Sequence, residues 1–158
     1  MEVIIKNLEK KKLVGVHLKM SLVDNKTGEL WKKFMQRHKE IKNKLTADFL
    51  SIQCYPLTYF KDFKPTLEFE KWATVEVSDF TSIPKGMEAF ELEVGLYAVF
   101  YYKGSSLDTR IYEYIFGVWI QKSGYALDDR PHFEVLGEKY KNEDPNSEEE
   151  IWIPIKNI

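Results

Sequence analysis

The chain has 158 residues, of which 44% are hydrophobic and 30% charged, and its net charge is −2. That balance excludes a disordered chain and gives no overall pull toward nucleic acid or an anionic membrane. The single cysteine, Cys54, excludes an internal disulfide. The apolar run in "MEVIIKNLEKKK" is too short for a signal peptide, and no stretch approaches the length of a membrane span. The expectation is one cytoplasmic domain over residues 1–158. Ten Phe, nine Tyr and four Trp are many rings for this length, and rings suit the lining of a ligand pocket.

Residues 11–18, "KKLVGVHL", are β-branched and apolar and predict a strand. After polar punctuation at Asp24–Gly28, Leu30, Trp31, Phe34, Met35, His38 and Ile41 recur at helical spacing through "ELWKKFMQRHKEIKN". Lys39, Lys42 and Lys44 fall in the last turns, where the helix dipole favours cations. "DFLSIQCY" (48–55) predicts a strand, 56–70 a loop holding prolines and aromatics, and "KWATVEVSD" (71–79) a strand with clean alternation. A turn at 83–86 precedes a short strand at 87–92. The pattern then restarts with a strand at 95–102, "GLYAVFYY". Ser105 or Ser106 is a candidate helix cap. Ile111, Tyr114, Ile115, Val118 and Trp119 predict the apolar stripe of a helix over 107–122, and Gly124 stands where a C-terminal cap glycine belongs. "HFEVLG" (132–137) and "EIWIPI" (150–155) predict the last two strands.

The order strand, helix, strand, strand thus occurs twice, offset by about 80 residues. This predicts an α+β fold of duplicated β-α-β-β modules, approximately 1–92 and 93–158. Fused, they would form an antiparallel sheet with two helices on one face and a ligand groove between the halves. Pairing the last two strands as neighbours would put Phe133 and Val135 with Ile151, Ile153 and Ile155 against the helices. His132, Glu134, Glu150 and Trp152 would then share the opposite, open face. In the 71–79 strand, Ala73, Val75 and Val77 would be core, leaving Trp72, Thr74 and Glu76 on that open face. Clustered carboxylates and indoles suit a lipophilic cation, because rings supply area and cation–π attraction and a desolvated carboxylate supplies countercharge.

The stretches "GLYAVFYYKG" (95–104), "VWIQKSGY" (118–125), "PHFEVL" (131–136) and "EEIWIPIK" (149–156), with "DFLSIQCY" and "WATVEV" in the first half, resemble the GyrI-like effector-binding family. That family is also called the AraC-type or bacterial transcription activator effector-binding domain. The resemblance implies an aromatic pocket with a buried glutamate, for which Glu134 is the first candidate and Glu150 the second. It implies lipophilic, often cationic ligands. No segment is left over for the helix-turn-helix that gene-regulating relatives carry, so the expectation is a stand-alone binder that does not itself contact nucleic acid.

The candidate ligand-binding set is Glu134, Glu150, Trp152, Trp72, Glu76, Tyr55 and Tyr101. No cofactor, no catalytic residue and no metal site is expected: His17, His38 and His132 make no ligand spacing with Cys54. Neither a Gly-x-Ser-x-Gly elbow nor a P-loop is present. The resemblance leaves two alternatives open. One is a hydrolase of electrophilic, cyclopropane-bearing compounds using a carboxylate with Tyr101 or Tyr125. The other is a protein-interaction inhibitor of the gyrase-binding kind, with Lys32, Lys33 and Arg37 of the basic helix as the contact.

Overall fold

A computed structural model describes residues 2–158. Its strands are β1 (Val3–Leu8), β2 (Lys11–Met20), β3 (Phe49–Cys54), β4 (Phe69–Glu76), β5 (Glu88–Leu92), β6 (Gly95–Lys103), β7 (Tyr125–Leu127), β8 (His132–Leu136) and β9 (Glu148–Asn157). They form one nine-stranded sheet in the order β1-β6-β9-β8-β3-β4-β2-β5, with β7 added to β9 beyond the end of β8. The pairings are antiparallel. Helix α1 (Thr27–Met35) follows β2. A second helix follows β6 as α2 (Arg110–Tyr114), a π-helical turn (Ile115–Trp119) and α3 (Ile120–Lys122).

The connections force the sheet to roll. β1 and β2 stand six places apart in the strand order, yet only Glu9 and Lys10 join them. In a flat sheet six spacings would be ~29 Å, whereas three Cα steps reach ~11 Å at most. Glu93 and Val94 join β5 to β6 under the same constraint. The inner face of the roll is accordingly dry: Leu8, Leu13, Leu50, Ile52, Trp72, Leu92, Tyr97 and Phe133 form one buried cluster without a helix covering it. The outer face carries the helices. Leu30 and Phe34 of α1 pack on Val14, Val16, Ala73 and Val75. Ile111 and Ile115 pack on Ala98, Phe100, Ile151, Ile153 and Ile155.

Several expectations change here. Neither sheet face is left open; both are packed. β1 and β7 were not among the predicted strands, because their runs are short and gain stability only from pairing with β6 and β9. The first helix ends at Met35 and continues only as a 3₁₀ turn, His38–Glu40. Neither Ser105 nor Ser106 caps the second helix; it starts at Arg110, after Thr109. Its buried stripe also shifts. Ile111 and Ile115 are buried, whereas Tyr114 and Val118 face solvent, and Tyr112 and Phe116 turn inward with Trp119 and Ile120. A π turn holds more residues than an α turn, so it rotates the stripe. Gly124 does take the left-handed conformation expected of a cap glycine, with φ +80.

Pro154 lies in β9, an interior strand. Its missing N–H falls between the segment that pairs with β8, which reaches Trp152, and the segment that pairs with β7, which starts at Ile155.

Candidate functional site

The register of β8 on β9 decides the site. Phe133 stands opposite Trp152, Glu134 opposite Ile151 and Val135 opposite Glu150. Phe133 and Val135 therefore share the inner face with Trp152 and Glu150, and His132 and Glu134 share the outer face with the isoleucines. This reverses the face expected for β8. The physical reason is that the inner face is also a core: it takes the apolar set of "HFEVL" and sends the polar set outward.

The outward set lands where neither helix covers the sheet. α1 sits over β2 and β4 and the second helix over β6 and β9, so the central strands β3 and β8 carry polar side chains there. These are Ser51, Gln53, His132 and Glu134, with Ser51 opposite Glu134 and Gln53 opposite His132. Aromatic side chains roof them. Phe60, from the loop after β3, stacks on His132 (centroids 5.3 Å apart) and meets Phe116 of the π turn (4.9 Å). Tyr55 stands edge-on to His132 at 4.9 Å.

Glu134 is 9% exposed. Its Oε1 accepts a hydrogen bond from Gln53 Nε2 (3.1 Å), and Gln53 Nε2 also donates to Ser51 Oγ (3.2 Å). Burial pushes the Glu134 carboxyl up to about 7, against the pull of Lys71 and the Gln53 hydrogen bond. Glu149, on the same face of β9, is raised to about 8 by burial and by the Glu134 charge, with Lys71 opposing. Lys71, on β4 opposite Gln53, is shifted down by burial, while Glu134 and Glu149 hold it up. Burial lifts the Tyr55 and Tyr112 phenols far above their usual range, with the Glu134 charge adding to it. His132 is driven down to about 3 by burial and then by the Arg130 charge. The site is thus an uncharged ring-and-phenol enclosure around two carboxyls that ionise reluctantly and one lysine. A cleft of about 420 Å³ at the strand ends has Tyr101, Tyr102, Glu149 and Glu150 in its wall, so two of the candidate residues, Tyr101 and Glu150, meet Glu149 there.

Of the seven candidate residues, the structure brings Glu134 and Tyr55 together here. Trp72, Glu76, Tyr101, Glu150 and Trp152 lie on the inner face, across the sheet from Glu134. There Trp152 Nε1 donates to Glu150 Oε1 (2.9 Å), and Lys6 Nζ sits 5.9 Å from the Trp152 ring and donates to Tyr101 Oη (3.2 Å). Trp72 stacks on His17, and Glu76 accepts from Lys11. These inner-face acids and rings already hold partners within the chain. The unforeseen members are Lys71, Gln53, Glu149 and Tyr112, while His132 shares the face of Glu134 as expected. Glu149 and Lys71 carried a signal: each is two residues from a core position of its own strand, Ile151 and Ala73. Tyr112 carried none, since the π turn that rotates it inward has no distinct periodicity. Arg37, beyond the end of α1, is engaged by Glu40 and by the Lys85 carbonyl.

An antiparallel α+β sheet with two helices, holding a buried acid beneath aromatic rings, has the features of a ligand-binding domain. The chain belongs to the GyrI-like family: residues 1–156 match the model of the GyrI-like small molecule binding domain. It is 27% identical over 145 residues to the transcriptional regulator BrlR of Pseudomonas aeruginosa, covering 90% of this chain and 51% of that protein. The chain therefore spans about half the length of this curated relative. Among solved structures, SAV2435 bound to tetraphenylphosphonium aligns with a TM-score of 0.77 at 17% identity, over 99% of this chain and 94% of that one. EcmrR, in an EcmrR–DNA complex, aligns with 0.75 at 14% identity, over 99% and 58%. A hydrolase from Listeria innocua aligns with 0.63 at 10% identity, over 98% and 92%. Among the described residues no helix is long and apolar enough to cross a membrane.

Proposed function

We propose that this domain binds lipophilic, preferentially cationic small molecules in the gap between its two helices. Glu134 is the countercharge, Glu149 a second acid, and Tyr55, Tyr112, Phe60 and Phe116 are the enclosing rings. The carrying observation is Glu134 itself: a carboxyl 9% exposed, under an aromatic roof, whose one side-chain hydrogen bond comes from a neutral amide. Burying such a group is costly unless a partner arrives. A cation among rings is that partner, and its attraction grows as water leaves. SAV2435, which shares this fold, was solved with such a cation.

The experiment is a calorimetric titration with tetraphenylphosphonium. Glu134→Gln should weaken binding at least about tenfold, the scale of one charge interaction in a desolvated site. Equal binding by wild type and variant would sink the assignment of Glu134.

We further read the domain as two copies of a β-α-β-β module in the cytoplasm. The strand order supports the duplication, since β6-β9-β8 and β2-β4-β3 mirror one another about the Ile52–Phe133 pair. In that symmetry Gln53 and Glu134 are equivalent positions, each one residue past the centre. A hydrolytic reading is favoured by one observation: two neighbouring carboxyls with values near neutrality, at about 7 and about 8, suit general acid–base work. It predicts turnover of an electrophilic substrate that is abolished by Glu134→Gln, and binding without turnover would refute it.

A further inference from the structure

Lys71 has no role in the simple picture of an acid binding a cation. It stands on the outer face of β4 directly opposite Gln53 of β3, and Gln53 bonds to Glu134 of β8. Lys71, Gln53 and Glu134 thus form a row across three neighbouring strands. The Lys71 ammonium does not turn toward the carboxyls. Its Nζ donates to Thr27 Oγ1 at the start of α1 (3.2 Å), and Thr27 Oγ1 in turn contacts Met20 Sδ (3.6 Å). Glu134 and Glu149 act on it through space rather than through a hydrogen bond. An ammonium has three donors, and Thr27 Oγ1 accepts one of them. Two strand spacings put about 10 Å between β4 and β8, with Gln53 of β3 between their charged groups.

We propose that the site is bipolar: Glu134 and Glu149 form its acidic pole and Lys71, tethered by Thr27, its basic pole, so that Lys71 selects aromatic ligands bearing an anionic group opposite their positive charge. This rests on the ligand-binding reading above and sharpens its ligand class from lipophilic cation to aromatic zwitterion. A purely cationic ligand meets the Lys71 charge as an unrelieved repulsion across the enclosure. A carboxylate on the far side of the same ligand converts that repulsion into a charge-assisted hydrogen bond. Discrimination then comes as much from the penalty against the wrong ligand as from contacts to the right one.

The test uses two probes of nearly equal shape, tetraphenylphosphonium and the same cation carrying a para-carboxylate on one ring. Each is titrated calorimetrically into the full chain as wild type, Lys71→Met and Lys71→Arg. The expected result is a preference of about tenfold for the carboxylate-bearing probe in wild type. Lys71→Met should lose it and bind tetraphenylphosphonium more tightly than wild type does, and Lys71→Arg should keep it. Lys71→Gln serves if the methionine variant does not fold. Binding of both probes with a preference that Lys71→Met leaves unchanged overturns the bipolar site while leaving the ligand-binding reading intact. A wild type that binds neither probe overturns both.

Discussion

Glu134 shows what a single side chain settles here. Its carboxyl is raised from 4.5 to about 7 by burial, so between those values the native state holds a proton that the unfolded chain has released. Native proton excess means that stability falls as pH rises through that window. Lys71, Glu149, Tyr55, Tyr112 and His132 face the same enclosure, and among them Glu149, raised to about 8, titrates alongside it. His17 on the inner face, raised by its bonds to Glu70 and Glu88 against the cost of its burial, also loses its stabilising charge as pH rises. The clean measurement is therefore a difference. Glu134→Gln mimics the protonated acid, so its stability relative to wild type should improve by about 3 kcal/mol between pH 4.5 and pH values above 7. Denaturant unfolding across that range checks it, and a flat difference would refute the buried-acid assignment. Glu134 was singled out from the sequence through the family resemblance, and the structure buries it. The face it occupies was not legible, because "HFEVL" alternates equally well either way up.

At the scale of elements, the roof is built by two segments with no regular periodicity in common. Phe60 comes from the loop after β3 and Phe116 from the π turn of the second helix, and the two meet over His132. A ligand reaching Glu134 from above has to part them. Phe60→Ala should raise the association rate for tetraphenylphosphonium several-fold, read by stopped flow, at a modest cost in stability. An unchanged rate would mean that ligands enter elsewhere, for which the cleft lined by Glu149 and Tyr102 is the alternative route. The regular elements were read with good fidelity from alternation and helical spacing. The π turn was not, since one extra residue per turn within a short helix leaves too few positions to establish a period. β1 was missed for a different reason: Lys6 and Asn7 interrupt the apolar run of "VIIKNL", and its strand character is conferred by β6.

For the whole molecule, the roll is the organising feature. Two-residue connections at β1–β2 and β5–β6 pull opposite ends of the strand order together, and the enclosed face becomes a core in its own right. Leu92, 0% exposed at the end of β5, is buried there beside Leu13 and Tyr97. Leu92→Ala should cost about 2–5 kcal/mol by urea unfolding. Leu57→Ala, at a position 76% exposed, should stay within about 0.5 kcal/mol. Similar costs at the two positions would contradict a rolled sheet with a dry interior. Gly15 belongs to the same curvature: a Cβ there would collide with the Ala73 carbonyl oxygen of the neighbouring strand. Gly15→Ala should therefore unfold at lower denaturant than wild type, and equal midpoints would argue against this close approach.

The amino-acid order by itself determined the alternation of most strands and the places of both helices, and its resemblance to a family singled out Glu134. These are local periodicities, or short stretches that resemble a family, and need no knowledge of partners. Which residues stand beside Glu134 was decided only in three dimensions. Register is a property of strand pairs, and a slip of one residue exchanges the faces of a whole strand. The roll gave the sheet a second buried face, which claimed Trp72, Trp152 and Glu150 for the interior. It left the polar set of β3 and β8, with Lys71 and Glu149 from their outer neighbours, in the gap that two separated helices do not cover.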